Sequence, residues 1–332
     1  MPISPPSINA KRPLAMGRRP SAVERRAIPP DMIARLDPTS PEAEARWRRA
    51  QEMLLSCEVC PRLCGAARLA GELGVCRTGP ELTVASWNLH RGEEPPISGT
   101  RGSGTIFLSG CSLRCMYCQN YPISQLSVGK SMALTDLVRV MLELEADGAH
   151  NINFVTPTHH TAALIAAILA ARRGGLQIPI VWNTSGYERV ETLRLLDGLV
   201  DVYLGDMRYA EAEPARRYSQ AADYPSVNQR AISEMHRQVG TLRLDEHGVA
   251  QRGLLVRHLV LPDGLAGSGA VFEFLAQAVS RDTAVSVMSQ YFPAYQASGD
   301  KSLGRRLTHA EYAAALEMFT AAGLSHGYCQ EF

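Results

Sequence analysis

Three cysteines lie close together in the run CSLRCMYCQN, at Cys111, Cys115 and Cys118. They directly follow residues 105–108, an apolar segment with the composition of a buried strand. Three thiolates on one short loop can bind three irons of a cubane 4Fe–4S cluster, whereas a cluster that only transfers electrons usually takes four cysteines. The spacing therefore predicts a 4Fe–4S cluster with one iron open to another ligand. A zinc knuckle without a local fourth ligand is the alternative.

A second group of cysteines precedes the first, in the run CEVCPRLCGAARLAGELGVC. Four thiolates on one segment can close a tetrahedral zinc site or a fully ligated iron–sulfur cluster, and the sequence leaves both open. A structural metal clip that holds an amino-terminal cap is the favoured role, and an auxiliary cluster that relays electrons or binds substrate is the other. The eighth cysteine, Cys329, is expected to be a small buried apolar residue. The four predicted ligands are Cys57, Cys60, Cys64 and Cys76.

Short runs rich in β-branched residues alternate with helical patterns from residue 105 onwards. A nearly all-apolar helix is predicted over residues 161–171, and the capping box Thr308-x-x-Glu311 begins another. Successive βα units imply a parallel sheet with right-handed crossovers, either open and doubly wound or closed towards a barrel. In both architectures, the site lies at the carboxyl ends of the strands. The strands are predicted at 105–109, 152–156, 178–183, 200–205, 254–261 and 285–290.

Polar side chains follow several of these predicted strands, so the fold should gather them on one rim. Each has an ordinary structural interpretation as well: a histidine at a helix start can be a buried hydrogen-bonding group, and an aspartate at a strand end can be a cap. Their shared position favours a binding site. The candidates are Thr156 and His159 after strand two, Asn183 and Ser185 at strand three, Asp206 and Arg208 at strand four, and Arg257 in strand five.

The C-x3-C-x2-C loop, with an aromatic residue before its last cysteine, resembles the signature of the radical S-adenosylmethionine (SAM) superfamily. Over approximately residues 50–330 the chain resembles the pyruvate formate-lyase activating enzyme branch, and within it an activating-enzyme-like group without settled function. The run NTSGY at 183–187 resembles the activating enzymes' DTNGY, and DMR at 206–208 resembles their DLK. The runs CPRLCG at 60–65, EEPPISG at 93–99 and MSQY at 288–291 resemble the particular subgroup.

The resemblance implies an α/β fold: a partial (β/α)6 TIM-like barrel with a small amino-terminal Cys-rich metal-binding cap. It implies that SAM binds the open iron through its amino and carboxylate groups, and that the seven rim residues bind SAM. Two positions depart from the activating enzymes. Residues 156–159 read TPTH in place of Gly-Gly-Glu, which leaves the contact to the SAM amino group open, and Asn183 replaces an aspartate at a monovalent cation site.

The resemblance also implies a radical SAM, oxidoreductase-like enzyme. It would cleave SAM reductively to a 5′-deoxyadenosyl radical that abstracts hydrogen from an unidentified substrate, and activation of a glycyl radical enzyme is one role it allows. The expected partners are a one-electron donor such as flavodoxin or ferredoxin and, for an activase, a protein substrate. A non-catalytic iron–sulfur electron carrier or sensor is the alternative, and a zinc-ribbon nucleic-acid adaptor is a third hypothesis.

Composition and charge argue against some partners and locations for this protein. A formal net charge of +1 without a basic stripe argues against nucleic acid as a partner. The sequence has no apolar run long enough to span a bilayer and no signal-peptide core, so we expect a cytoplasmic protein. Three regions are predicted: a disordered Pro/Arg-rich tail over residues 1–41, a helix with the four-cysteine cap over 42–100, and the barrel over 101–332.

Overall fold

The computed structural model describes residues 41–330. The predicted disordered tail lies outside this range except for Pro41, which is the first residue of helix α1 (Pro41–Glu52). The remaining chain forms one mixed sheet with helices packed against it, so the predicted α/β class is confirmed.

The sheet has ten strands in the described residues. They are β1 (Thr83–His90), β2 (Ser103–Leu108), β3 (Lys130–Ser131), β4 (Ile152–Val155), β5 (Ile180–Thr184), β6 (Val202–Asp206), β7 (Arg243–Leu244), β8 (Ala250–Leu259), β9 (Ala284–Met288) and β10 (Gly327–Cys329). Their order in the sheet is β10-β9-β8-β6-β5-β4-β2-β1-β3, with β7 paired to β8. Seven neighbouring strands, from β2 to β10, are parallel. All six predicted strands are present, with ends displaced by up to four residues.

Helices connect the parallel strands, as in a partial TIM-like barrel. The predicted apolar helix forms over Thr161–Arg173, and nine of its residues are buried. The predicted capping box is also formed, because Thr308 and Glu311 exchange hydrogen bonds at the start of the helix His309–Ala321. The helices are α2 (Pro95–Ser98), α3 (Tyr121–Ser124), α4 (Leu134–Ala146), α5 (Thr161–Arg173), α6 (Val190–Arg194), α7 (Ala212–Ser219), α8 (Tyr224–Val239), α9 (Ser268–Phe274) and α10 (His309–Ala321).

The segment between β1 and β2 fills the concave side of the sheet, and we call residues 91–102 the plug. Ile97 is 0% exposed and packs with Val181, Val202 and Leu204 in an apolar cluster. The plug is also held by a hydrogen bond of 2.8 Å from Asn151 Nδ2 to the Ile97 carbonyl. It therefore brings its own side chains, including Glu93 and Glu94, into the interior of the partial barrel.

The segment between α1 and β1, residues 53–82, contains the first cysteine group and packs on the outside of the barrel. Its main anchor is Arg68, which is 1% exposed. The Arg68 guanidinium donates to the Gly79 carbonyl at 2.8 Å and to the His159 carbonyl at 2.8 Å, and its Nη1 lies 4.0 Å from Cys57 Sγ. We call this segment the cap.

Candidate functional site

The cysteine loop begins where β2 ends, at the carboxyl edge of the parallel strands. Gly110 precedes Cys111 with φ +86°, and a Cβ there would lie 2.6 Å from the Cys76 carbonyl oxygen of the cap. The position therefore requires glycine on both conformational and steric grounds. This close approach places the cap directly against the start of the cysteine loop.

The three thiols of the loop are held by polar neighbours. Ser219 Oγ donates to Cys115 Sγ at 2.9 Å, and Arg208 Nη1 donates to the same sulfur at 3.5 Å. Cys118 Sγ lies 3.1 Å from Ser124 Oγ, and the Leu113 backbone N–H donates to Cys111 Sγ at 3.4 Å. Cys111 and Cys115 are at least nine-tenths buried.

Two of these thiols are shifted towards the protonated form. Burial, together with the negative charges of Cys115 and Cys118, raises the pKa of the Cys111 thiol to about 12. The pKa of Cys118 is raised for the same two reasons. The three sulfurs therefore repel one another as thiolates, and the Arg208 guanidinium supplies only part of the positive charge they need. Bound iron would supply the rest, because metal ligation requires the deprotonated form.

The cap cysteines form a second set of interacting thiols. Burial, together with the charges of Cys76, Cys57 and Cys64, raises the pKa of the Cys60 thiol to about 12. Although burial acts in the opposite direction, backbone hydrogen bonds from Ala66 and Val75 hold the pKa of the Cys64 thiol below its ordinary value. Over residues 41–330, no three His, Cys, Asp or Glu side chains are grouped so as to hold a single metal ion.

A chain of buried charges leads from the cysteine loop into the barrel. Asp206 accepts from Arg208 Nη2 at 2.6 Å and from Arg257 Nε at 2.8 Å. Arg257 also donates to Asn183 Oδ1 at 2.6 Å and lies 3.4 Å from Glu93 Oε2. Although burial raises the pKa of the Asp206 carboxyl, the guanidiniums of Arg257 and Arg208 hold it below its ordinary value. We call this chain, from Glu93 to Arg208, the ionic network.

Four of the seven predicted rim residues thus lie in the ionic network or bind it directly: Asn183, Asp206, Arg208 and Arg257. Their side chains bond mainly to one another. Their predicted contacts with SAM stay a prediction.

The other three predicted residues have separate environments. Thr156 has φ +59°, an outlier for a β-branched residue, and its N–H donates to the Asn183 carbonyl at 2.9 Å. The Ser185 carbonyl accepts from Tyr224 Oη at 2.8 Å. His159 lies behind the cysteine loop, where its Nε2 donates to the Ser109 carbonyl at 2.7 Å. Burial lowers the pKa of His159 to about 4, so the imidazole is neutral at pH 7.

Sequence reasoning missed several residues that organise the site. Glu93 reaches Asn153, Asn183 and Arg257 from the plug, although the sequence showed only that its run resembled a subgroup motif. Glu188 is 1% exposed and accepts from Thr158, Thr184 and Trp182. No periodic or spacing signal marks either carboxylate. The expectation that Cys329 is buried was wrong, because it is exposed on the edge strand β10.

Comparison with known proteins gives the class of this site. Residues 105–217 match the Radical SAM superfamily. The chain is 31% identical over 278 residues to the uncharacterised protein MJ0674 of Methanocaldococcus jannaschii, which covers 81% of this chain and 75% of that protein. It is 23% identical over 167 residues to MJ0808 of the same organism, covering 45% of this chain and 49% of that protein.

Two solved structures are similar in outline. One is HydG, a maturase of the FeFe-hydrogenase, with a TM-score of 0.49 and 14% identity over 70% of this chain and 53% of that chain. The other is anSMEcpe with bound AdoMet and the Cp18Cys peptide, with a TM-score of 0.44 and 14% identity over 66% of this chain and 60% of that chain. The chain thus spans about half the length of MJ0808 and of HydG.

The superfamily match and the extent of the likeness to MJ0674 show that this chain belongs to the radical SAM superfamily. The enzymes of this superfamily use a 4Fe–4S cluster and SAM, and they need a reductant. The donor set of the cysteine loop fits such a cluster, because it offers three thiols, two of them buried, a neighbouring guanidinium and no fourth cysteine on the loop. In residues 41–330, no helix is long and apolar enough to cross a membrane.

Proposed function

We propose that this chain is a radical SAM enzyme in which Cys111, Cys115 and Cys118 hold the 4Fe–4S cluster. The observation that supports the proposal most is the position of these thiols, together on one loop at the carboxyl end of the first parallel strand. When bound, the cluster and SAM supply reductive cleavage of the S–C5′ bond and a 5′-deoxyadenosyl radical that removes hydrogen from a substrate.

The residues of the chain orient and shield this chemistry. Arg208 and Ser219 fix Cys115 by hydrogen bonds, and Asp206 in turn fixes Arg208. Buried aromatic rings surround the loop and exclude water, which strengthens the electrostatic interactions at the thiolates. Tyr117 packs edge-to-face against Tyr209 and Tyr291, with ring centroids 6.4 Å and 5.9 Å apart.

We assign the chain to the pyruvate formate-lyase activating-enzyme-like branch, on the strength of the NTSGY run at 183–187 and the DMR run at 206–208. Activation of a glycyl radical enzyme is the role that this branch suggests. Flavodoxin or ferredoxin would be the electron donor. Thr156, His159, Asn183, Ser185, Asp206, Arg208 and Arg257 remain the proposed SAM-binding set.

The cap cysteines are proposed to bind a structural metal, either zinc or a second iron–sulfur cluster, on the strength of their number and spacing in the sequence. Binding a single zinc ion would require at least three of these thiols to move closer together than they lie in the described residues. The cap packs on the barrel through Arg68, and its Cys76 carbonyl touches Gly110. Metal binding at Cys57, Cys60 and their partners would fix this contact and contribute to the folding free energy. The proposed division is a helix with the four-cysteine metal-binding region over residues 42–100 and a barrel over residues 101–332, with β1 and the plug of the first region paired to or packed against the barrel sheet.

The test is anaerobic reconstitution with iron and sulfide, followed by iron counting and assay of 5′-deoxyadenosine after addition of SAM and dithionite. The variant with Cys111, Cys115 and Cys118 all changed to alanine should lose about four irons and all SAM cleavage. Cys329→Ala is the matched control and should retain both. If the triple variant still forms 5′-deoxyadenosine, the assignment is wrong. If the wild-type cluster forms but calorimetry shows no SAM binding, the electron-carrier alternative is correct.

A further inference from the structure

A cavity of about 360 Å³ lies between the plug and the last strands of the sheet. It is distinct from the cysteine loop, and of the predicted SAM-binding residues it includes only Arg257. Its walls come from the plug, from β8 and β9, and from β10 with the residue that follows it. The lining residues on which the argument rests are Glu93, Glu94, Arg257, Ser286, Gln290 and Tyr328.

The strand register places one wall of the cavity in a single row. Arg257 pairs with Asp206 on one side and with Ser286 on the other, and Ser286 pairs with Tyr328. Residues paired across neighbouring parallel strands point to the same face of a sheet. The ionic network therefore continues across the sheet as one side of the cavity, with the plug carboxylates facing it.

Glu94 is the unsatisfied group of this cavity. It is 8% exposed, and its Oε2 has no hydrogen-bond partner among the described residues. Burial raises the pKa of its carboxyl, although nearby Arg257 and the Ser286 hydroxyl oppose that shift. A buried carboxylate oxygen without a partner costs free energy, so a ligand that donates a hydrogen bond to it is favoured.

No hydrogen bond between Arg257 and Glu94 is formed among the described residues, and the charge of Arg257 also acts on Asp206 and Glu93. Arg257 bonds Asp206 and Asn183 and lies within ion-pair distance of Glu93. Across the ionic network and the cavity, three carboxylates (Glu93, Glu94 and Asp206) face two guanidiniums (Arg208 and Arg257). When all five groups are ionised, the negative charges outnumber the positive charges by one. One cationic group in the cavity would balance this charge.

We propose that this cavity binds a protonated amine or guanidinium group of the enzyme's substrate, with Glu94 as its main acceptor. This inference rests on the proposed function and names its substrate class. The cavity is joined to the cysteine loop in two places. Gln119, directly after Cys118, donates to the Gln290 carbonyl at 3.1 Å, and the ionic network runs from Arg257 to the Cys115 sulfur. A cation held at Glu94 thus anchors the substrate beside the elements that carry the cluster.

The probe for this site is n-butylammonium, with n-butanol as its neutral match. Binding to the reconstituted protein with an oxidised cluster is measured by saturation-transfer NMR. We expect n-butylammonium to bind, n-butanol not to bind, and guanidinium but not acetate to displace the amine. Glu94→Gln keeps the shape of the side chain and should weaken binding roughly tenfold or more, as expected for the loss of a charged hydrogen-bond acceptor. Glu81→Gln, at an exposed carboxylate of the cap, should leave binding unchanged.

Four results would overturn the inference. These are equal binding of n-butanol, no binding of n-butylammonium, unchanged affinity in Glu94→Gln, and displacement of the amine by saturating SAM, which would assign the cavity to SAM itself. If thermal melting shows that Glu94→Gln does not fold, the competition between guanidinium and acetate in the wild type decides the question. Failure of the proposed function is distinguishable, because it appears as absent SAM cleavage in the wild type whether or not the amine binds.

Discussion

Replacing Asp206 with asparagine removes a carboxylate that lies between two guanidiniums. Asp206 is 5% exposed and accepts from Arg208 at 2.6 Å and from Arg257 at 2.8 Å. Asparagine has nearly the same shape, but it offers one acceptor oxygen and turns its amide N–H groups towards the other guanidinium. The change therefore leaves buried positive charge uncompensated while it disturbs packing little.

The expected cost follows from the burial of the pair. Removing one partner of a buried ion pair destabilises a protein by about 3–5 kcal/mol. At about 2 °C per kcal/mol for a chain of this size, the melting temperature should fall by roughly 6–10 °C. Because Arg257 and Arg208 lower the pKa of Asp206, its contribution is present above the unfolded pKa and is lost as the pH falls through the folded pKa. The difference in the free energy of unfolding between the wild type and Asp206→Asn should therefore have its full value at pH 7 and decrease at acid pH.

The assay is urea unfolding of the wild type and Asp206→Asn at pH 7, with thermal melting as a second measure. Asp136→Asn is the matched control, because Asp136 forms an exposed ion pair with Arg139 at 3.1 Å. Such pairs contribute at most about 1 kcal/mol. If Asp206→Asn costs no more than this control, the ionic network does not depend on Asp206, and the reasoning is refuted.

Two further predictions concern the cap and a buried carboxylate. Cys60→Ala should lower the metal content, the melting temperature and the soluble yield, while the surviving protein still cleaves SAM; unchanged metal content and stability would contradict the metal clip. Glu188→Gln should raise the melting temperature at pH 8, because Glu188 Oε2 is buried without a partner among the described residues and burial raises the pKa of this carboxyl. The wild type loses stability as the pH rises from the pKa of Glu188 in the unfolded chain, about 4.3, through its raised pKa in the folded protein. The increase in melting temperature caused by Glu188→Gln should therefore be smaller at pH 4. An equal gain at both pH values would contradict this.

The central strands could be predicted because they are buried on both faces and therefore read as continuous apolar runs, as in β5 and β6. Strand β1 was missed, because it is half exposed and runs antiparallel at one side of the sheet, where residues such as Trp87 face solvent. Strand β10 has only three residues, too few to show a period. These elements add to the predicted barrel without changing its class.

The candidate site was predictable where it depends on strand ends and unpredictable where it depends on distant contacts. Asp206 and Arg257 were placed on one rim because parallel strands align their carboxyl ends, and they pair directly. Glu93 lies 164 residues before Arg257 in the chain, and no local sequence pattern indicates that the plug packs inside the barrel. The tertiary fold determines which polar groups lie next to a buried charge, so sequence spacing alone could not identify them.

The guanidinium of Arg68 has a consequence for how the molecule opens. It lies in the interface between the cap and the barrel and bonds a carbonyl on each side, at Gly79 and at His159. Arg68 and Gly79 both belong to the cap, so separating the two parts would break the bond to His159 and leave a buried guanidinium short of one acceptor, which is costly. We therefore expect the cap to belong to the same cooperative unit as the barrel, so that its amide hydrogens exchange only in near-global openings. The cap is then a fixed wall of the site and not a hinged lid, and access for substrates must come from elsewhere on the barrel.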